Sequence, residues 1–423
     1  MYNRKIADKI LAEFNTHEVV FILGARQTGK TTLTKIISQN SSYSKQDTYF
    51  FDFEDREYRE LFSDVTISKL EQIFTLEDID KEKKSLIIFD EIQLLDDPSN
   101  LLKLLHDHFK NLKIIATGSS SLQIKMKFSD SLAGRKKVYN IQPLSFDEFL
   151  LFKGEDKLMK IREMFANQED KTSLISIVET YKKQFLSLFE EYLIYGGYPE
   201  VVLIKKREDK IAKLDSISSS YIQKDIREIA NIENITAYNN LIKYLSINIG
   251  KTINISSLAS SIGISTQTSL RYINLLQETF IIKELRPFYT NKNKEISKNR
   301  KIFFKDLGVR NLQIKNFNNP TYRTDLGEMY ENYIFNLFDN QNSIIETLYF
   351  YRTQSKTEID FVHVKENKTV LYEVKSGDYR KKPKAMFEFE NRYNDMKIEK
   401  FVINRSVLDF KDGIWFVPAF LIW

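Results

Sequence analysis

Apolar residues fall first into short unbroken runs. Glu18-Val19-Val20-Phe21-Ile22-Leu23 has the pattern of a strand buried on both faces, and Thr48 to Phe53, Ser85 to Phe89 and Lys113 to Ala116 repeat it. Stretches of helical periodicity separate these runs, and residues 4 to 14 read as a helix. Buried strands alternating with helices predict an α/β fold: a three-layer parallel sheet, closed by the Gln142-Pro143-Leu144-Ser145 turn near residue 150. From Lys153 to Thr172 the chain is charged and poorly patterned. Residues 173 to 235 look helical except at Tyr195-Gly196-Gly197-Tyr198-Pro199, where two glycines and a proline force a break. Residues 236 to 290 form another helical set that ends in the alternating run Phe280 to Leu285. The last third begins with a helix near residue 325 and continues as strands around Thr347, Glu358 and Val370.

The first run ends in Gly24-Ala25-Arg26-Gln27-Thr28-Gly29-Lys30-Thr31-Thr32 and then opens a helix. That context makes the segment a phosphate-binding P-loop. Its backbone amides and the helix N-terminus face phosphate, Lys30 reaches the β- and γ-phosphates of ATP, and the Thr31 hydroxyl is a magnesium ligand. The run Leu86 to Phe89 delivers Asp90 and Glu91 to its C-terminal end, where open α/β sheets hold ligands. Asp90 is expected to hold magnesium and Glu91 to activate water. Thr117, at the end of the next strand, places a hydroxyl toward the metal and γ-phosphate, and Arg135 is a candidate cation for the transition-state charge.

In combination with Asp90-Glu91-Ile92-Gln93, Thr117-Gly118-Ser119-Ser120, Leu132-Ala133-Gly134-Arg135 and Tyr195 to Pro199, this chain resembles prokaryotic AAA-type ATPases that carry a C-terminal domain of unknown function. The resemblance covers nearly the whole chain. It implies a helical lid, a winged helix and a restriction-endonuclease-like C-terminal α/β domain. The expected division is 1–150 for the ATPase domain, 151–235 for the lid, 236–290 for the winged helix and 291–423 for the last domain.

The residues themselves support both later parts. Ile255 to Ile262, Gly263 and Ser265 read as a helix, a glycine turn and a serine N-cap, followed by a second helix from Thr268 to Thr279. Leu270, Ile273, Leu275, Leu276 and Phe280 are expected in its core face, with Gln267, Thr268, Arg271 and Asn274 available to DNA or to a protein partner. Farther on, Glu358 to Val362 and Val370 to Lys375 form a hairpin. Glu373 and Lys375 lie two apart and share a face, Asp360 on the neighbouring strand reaches the same side, and Glu331 comes from the preceding helix. Carboxylates that hold magnesium and a lysine that acts on water are what phosphodiester hydrolysis requires. The pattern resembles the PD-(D/E)-x-K nuclease superfamily, with Asp360, Glu373 and Lys375 at its signature positions and Ile359 in place of the proline. The resemblance implies Glu331, Asp360 and Glu373 as metal ligands and Asp360, Glu373 and Lys375 as catalytic residues.

Composition narrows the chemistry. The absence of cysteine removes disulfides, thiolate zinc sites and cysteine nucleophiles, and four histidines leave metal binding to carboxylates and hard ions. Lys+Arg 63 against Asp+Glu 58 gives +5, so a nucleic-acid partner has to be argued from local clusters such as Arg380-Lys381-Lys382 and Lys384. With no apolar run of about 18 residues and no signal-like start, a cytoplasmic location is expected. Two uses of the ATPase remain open: control of a DNA-cutting domain, or a nucleotide-gated switch whose last domain is inert.

Overall fold

The computed structural model describes residues 4–119, 132, 134–167, 171–220, 234–289, 299–341, 343, 345–353, 355 and 357–423. They form two compact units, one of residues 1–143, 219–231 and 278–280, the other of 144–218, 232–277 and 281–423.

The first unit is built on a parallel sheet of β1 (Val19–Gly24), β2 (Thr48–Asp52), β3 (Ser85–Asp90), β4 (Leu112–Gly118) and β5 (Lys136–Ile141), in the order β2-β3-β4-β1-β5. β1, β3 and β4 are buried along their whole length, which is why they read as continuous apolar runs. Successive residues feed opposite faces. Val19, Phe21, Ile87, Phe89 and Ile114 enter one core, and Val20, Ile22, Leu86, Ile88 and Ile115 the other, where Leu33 and Ile37 of α1 (Lys30–Asn40) cover them. Sequence patterning missed β5, because an edge strand exposed on one side carries Lys136, Lys137 and Asn140 in place of an apolar run. In a parallel sheet all C-terminal strand ends lie along one edge. Gly24, Asp90 and Gly118 are therefore brought together.

The second unit opens with helices Phe146–Phe152, Asp156–Asn167, Ile175–Tyr195, Pro199–Leu203 and Arg207–Ser220. Arg162 is 1% exposed; its Nε donates to Asp147 Oδ1 at 2.5 Å and its Nη2 to the carbonyl of Ile422 at 2.6 Å. Next come α2 (Ile235–Ile247), β6 (Thr252–Ile253), α3 (Ile255–Ile262), α4 (Thr266–Glu278), β7 (Ile282–Leu285) and β8 (Arg300–Phe304), with the strands in an antiparallel sheet of order β6-β8-β7. Gly263 turns the chain at φ 74°, and Ser265 Oγ accepts from the Thr268 amide at 3.0 Å, as their residue types predict. Leu270, expected in the core, is 41% exposed instead. It shares a helix face with Gln267, Arg271 and Asn274, while Ser269 and Tyr272 take the buried places.

The chain then runs through α5 (Leu307–Gln313), α6 (Leu326–Gln341), β9 (Thr347–Arg352), β10 (Glu358–Val364), β11 (Thr369–Val374), α7 (Lys384–Arg392), β12 (Ile398–Asn404), β13 (Asp409–Lys411) and β14 (Ile414–Pro418). The sheet order is β13-β14-β12-β11-β10-β9, antiparallel from β9 to β11 and parallel where β12 joins β11 and β14. Met386 and Phe389 of α7 pack with Ile359, Val362 and Leu371 on one face. Phe338 of α6 meets Phe361 and Tyr372 on the other.

The Gly196-Gly197 break has a packing reason. Asp306, 6% exposed, accepts from the amides of Gly197 at 2.8 Å and Val309 at 2.9 Å, capping α5 and holding the break against it. A Cβ at Gly196, itself at φ 75°, would lie 2.2 Å from the Asp306 carboxylate, and one at Gly197 would lie 2.3 Å from the Leu144 carbonyl oxygen. Neither contact is tolerable. Burial pushes the Asp306 pKa up to about 6 against the opposing pull of the backbone amides it accepts from. Gly197→Ala should therefore destabilise the chain by about 1–3 kcal/mol, seen as an earlier chemical-denaturation transition; an unmoved transition would show that this close approach is not required.

Candidate functional site

At the C-terminal edge of the parallel sheet, Gly24 ends β1 where no side chain fits, because a Cβ there would lie 2.3 Å from the carbonyl oxygen of Ile141. The loop then turns through Gln27 at φ 60° and Gly29 at φ 91° before α1 begins at Lys30. Thr28 Oγ1 donates to the Ala25 carbonyl at 2.8 Å and fixes the bend. Lys30, 4% exposed, folds its ammonium onto the carbonyls of Gly24 and Ala25, both at 3.2 Å, and lies 3.6 Å from Glu91 Oε1. Arg26 and Gln27 are half-buried in the loop. Thr32 is exposed one residue beyond Thr31.

Asp90 ends β3 with its carboxylate shared by two hydroxyls. Thr31 Oγ1 donates to Oδ2 at 2.6 Å, and Thr117 Oγ1 donates to Oδ1. Thr117 also accepts from the Glu91 amide at 3.1 Å, so one hydroxyl at the end of β4 ties both acidic residues together. Burial raises the Asp90 pKa, with the two threonines opposing and the Glu91 charge adding. Burial pushes Glu91 upward as well, but Lys30, Gln93 and Arg26 outweigh it and hold its carboxyl below the usual range. Glu91 is thus an ionised base in a low-dielectric pocket. Gln93 Nε2 donates to Glu91 Oε2 and, at 3.2 Å, to Ser119 Oγ. Gln93 and Ser119 had no role assigned from sequence, although both sit inside motifs recognised there; Ser120 and Ala133 of those motifs lie outside the described residues. Arg4 was also missed. It donates to the carbonyls of Thr28 at 3.1 Å and Gln142 at 2.9 Å, bracing the loop from behind.

Thr31 and Asp90 present a hydroxyl and a carboxylate oxygen side by side, the hard donors that magnesium takes beside nucleotide phosphates. Residues 16–150 match the family described as AAA domain. This part of the chain is similar to AAA-type P-loop domains. Residues 186–320 and 326–422 match two domains of unknown function, DUF8612 and DUF4143. An uncharacterized protein of Methanocaldococcus jannaschii is 26% identical over 97% of this chain and 85% of its own length, and one of Haemophilus influenzae is 24% identical over 70% and 69%. Among solved structures, the Walker-type ATPase of Pyrococcus abyssi superposes with a TM-score of 0.46 at 14% identity, over 74% of this chain and 96% of that one. No helix among the described residues is long and apolar enough to cross a membrane.

Arg135 requires a correction. The register pairs Val19 with Lys136 and Gly24 with Ile141, and Arg135 accepts at its carbonyl from the Val19 amide. It therefore stands at the N-terminal edge of the sheet, five residues of strand and about 16 Å from the P-loop edge. Its guanidinium is paired with Asp107, Nε to Oδ1 at 3.0 Å. Within this chain it does not reach the phosphate site.

In the second unit, Asp360 on β10 accepts from the Val374 amide at 2.8 Å, and Lys375 lies 2.7 Å from Glu373 Oε1 just past the end of β11. Glu331 of α6 joins them, but through a residue that sequence reading overlooked. Lys301, 3% exposed at its side chain, lies 2.7 Å from Glu358 Oε1 and 3.4 Å from Glu331 Oε2. Lys301, Glu331 and Glu358, with Lys251, Arg352 and Lys375, line a cleft of about 590 Å³. Burial raises the pKa of Glu331, Asp360 and Glu373, with Asp360 adding to the rise at both glutamates. The metal cage expected at Glu331, Asp360 and Glu373 is not gathered: among the described residues no group of three or more His, Cys, Asp or Glu side chains could hold a metal ion.

Two substitutions separate these readings in the first unit. Thr117→Val removes the hydroxyl that positions Asp90 and Glu91 and should lower nucleotide turnover by about 100-fold. Arg135→Ala should leave turnover within about twofold; a collapse of activity in a folded Arg135→Ala protein would place that guanidinium back at the phosphate.

Proposed function

We propose that this protein binds ATP with magnesium and hydrolyses it. The observation that carries the reading is the shared carboxylate of Asp90, met by Thr31 from the P-loop helix and Thr117 from β4, with ionised Glu91 next to it in sequence. Lys30 and the loop amides bind the terminal phosphates, and the ammonium leaves the carbonyls of Gly24 and Ala25 when phosphate takes their place. Thr31 and Asp90 would hold magnesium, which would supply positive charge beside the phosphates. Glu91 orients water and accepts its proton, and Thr117 with Gln93 keeps that carboxylate aimed.

A second, DNA-directed role is supported by the segment from α2 to β8. Its order of helix, strand, two helices and two strands is that of a winged helix, and Gln267, Leu270, Arg271 and Asn274 leave one face of its last helix exposed. Residues 326–422 run α-β-β-β-α-β-β-β, and the α-β-β-β-α-β part of that order supports the nuclease-like fold, whereas their side chains favour a binding platform over cutting. ATP then gates a partner-binding protein, with DNA the partner we favour.

Lys30→Ala should abolish turnover and weaken nucleotide binding at least tenfold, while Glu91→Gln should bind ATP and not turn it over; normal hydrolysis by either variant overturns the assignment. Because Glu91 of the nucleotide-free protein titrates below the ordinary carboxylate range, kcat/KM should hold as pH falls to about 5 and drop only as that lowered pKa is crossed, when the base becomes protonated. Arg271→Ala should weaken DNA binding and flatten its salt dependence by about one charge. Identical isotherms across a salt series would leave a protein as the partner.

A further inference from the structure

Glu331 and Glu358 line the cleft of the second unit, Asp360 and Glu373 stand on the neighbouring strands β10 and β11, and each of these four carboxylates already has a protein donor. Lys301 serves Glu331 and Glu358, the Val374 amide serves Asp360, and Lys375 serves Glu373. Glu373 keeps one buried oxygen, Oε2, without a partner. A hard divalent ion asks for about six oxygens in a nearly regular shell, whereas the ammonium of Lys301 already lies among these acids and, among the described residues, no group of three or more His, Cys, Asp or Glu side chains could hold a metal ion. The residues present therefore do not fit the metal that a nuclease-like fold implies.

Lys301 is not a passing visitor to this cluster. It lies in β8, the middle strand of the three-stranded sheet, where its backbone is paired with Thr252 on one side and Leu285 on the other. Its side chain is almost wholly buried, and Ile302, Phe303 and Phe304 anchor the strand in the core behind it. Its ammonium stands at ion-pair distance from two carboxylates, 2.7 Å from Glu358 and 3.4 Å from Glu331. We propose that the ammonium of Lys301 takes the place of a divalent cation in this cleft, so that residues 326–422 form a metal-free, non-cutting platform clamped by charge to the three-stranded sheet. The cation that a nuclease would recruit from solution is here part of the chain. This proposal is independent of the ATPase assignment, and its test is read without nucleotide.

The full chain is titrated with Mn2+ and free ion is followed by electron paramagnetic resonance, comparing wild type, Asp360→Asn, Lys301→Met, Lys301→Arg and the Lys301→Met/Asp360→Asn pair. Asparagine still accepts from the Val374 amide, so Asp360→Asn probes the charge and not the fold. Any weak site at the P-loop is common to all five proteins and cancels. Wild type and Asp360→Asn should bind the same amount of Mn2+, Lys301→Met should bind one further ion per chain that the double variant loses, and Lys301→Arg should gain none. A wild-type site that Asp360→Asn removes overturns the proposal, as does a Lys301→Met protein with an unchanged melting transition and no added ion. Should Lys301→Met fail to fold, the comparison of wild type with Asp360→Asn decides: equal binding supports the proposal and unequal binding ends it.

Discussion

A carboxylate taken out of water has to be met by a cation or by hydrogen-bond donors, and the ways this chain meets that demand define its sites. Asp90 is met by two hydroxyls, Glu91 by Lys30 and Gln93, Asp306 by backbone amides, and the cleft acids by Lys301 and Lys375. The kind of donor separates the chemistry. Threonine hydroxyls can rotate from a carboxylate to an arriving ion, so the Asp90 site is ready to change its occupant. Amides fixed at a helix start cannot, and Asp306 is accordingly structural.

The parallel sheet supplies the first of these sites through its direction. Strands that all run one way present every C-terminal end on one edge, so residues from three separate segments, 24–31, 90–93 and 117–119, meet without a loop having to reach across. The same rule disqualifies Arg135, whose segment enters β5 from the far side.

Local chemistry was legible in the residues, and distant pairing was not. The P-loop could be read because its glycines, lysine and threonine are contiguous and lie between a buried run and a helix. Asp90 and Glu91 were legible because an apolar strand that ends in acid has few reasons to do so beside a P-loop. The Gly263 turn and the Ser265 cap were equally local. Arg135 was misplaced because register decides which end of β5 it occupies, and a charged edge strand carries little apolar signal. Leu270 was assigned to the core by its apolarity alone, whereas its helix turns it outward with Arg271. Lys301 was the largest omission. Its sequence signal, a lysine directly ahead of Ile302-Phe303-Phe304, marked a buried ammonium in need of acids but could not say that they would come from residues 331 and 358.

Arg162 has a consequence for the order of events as the chain is made. One nitrogen of its guanidinium, Nη2, donates to the carbonyl of Ile422, a residue 260 positions later. At roughly 5–20 residues per second of synthesis, the helices around Arg162 wait about ten seconds to a minute for that partner. For that interval a cation destined for burial has its carboxylate, Asp147, without its last acceptor. The Arg162 site of the second unit can thus close only after the contiguous strands of the first unit have been synthesised.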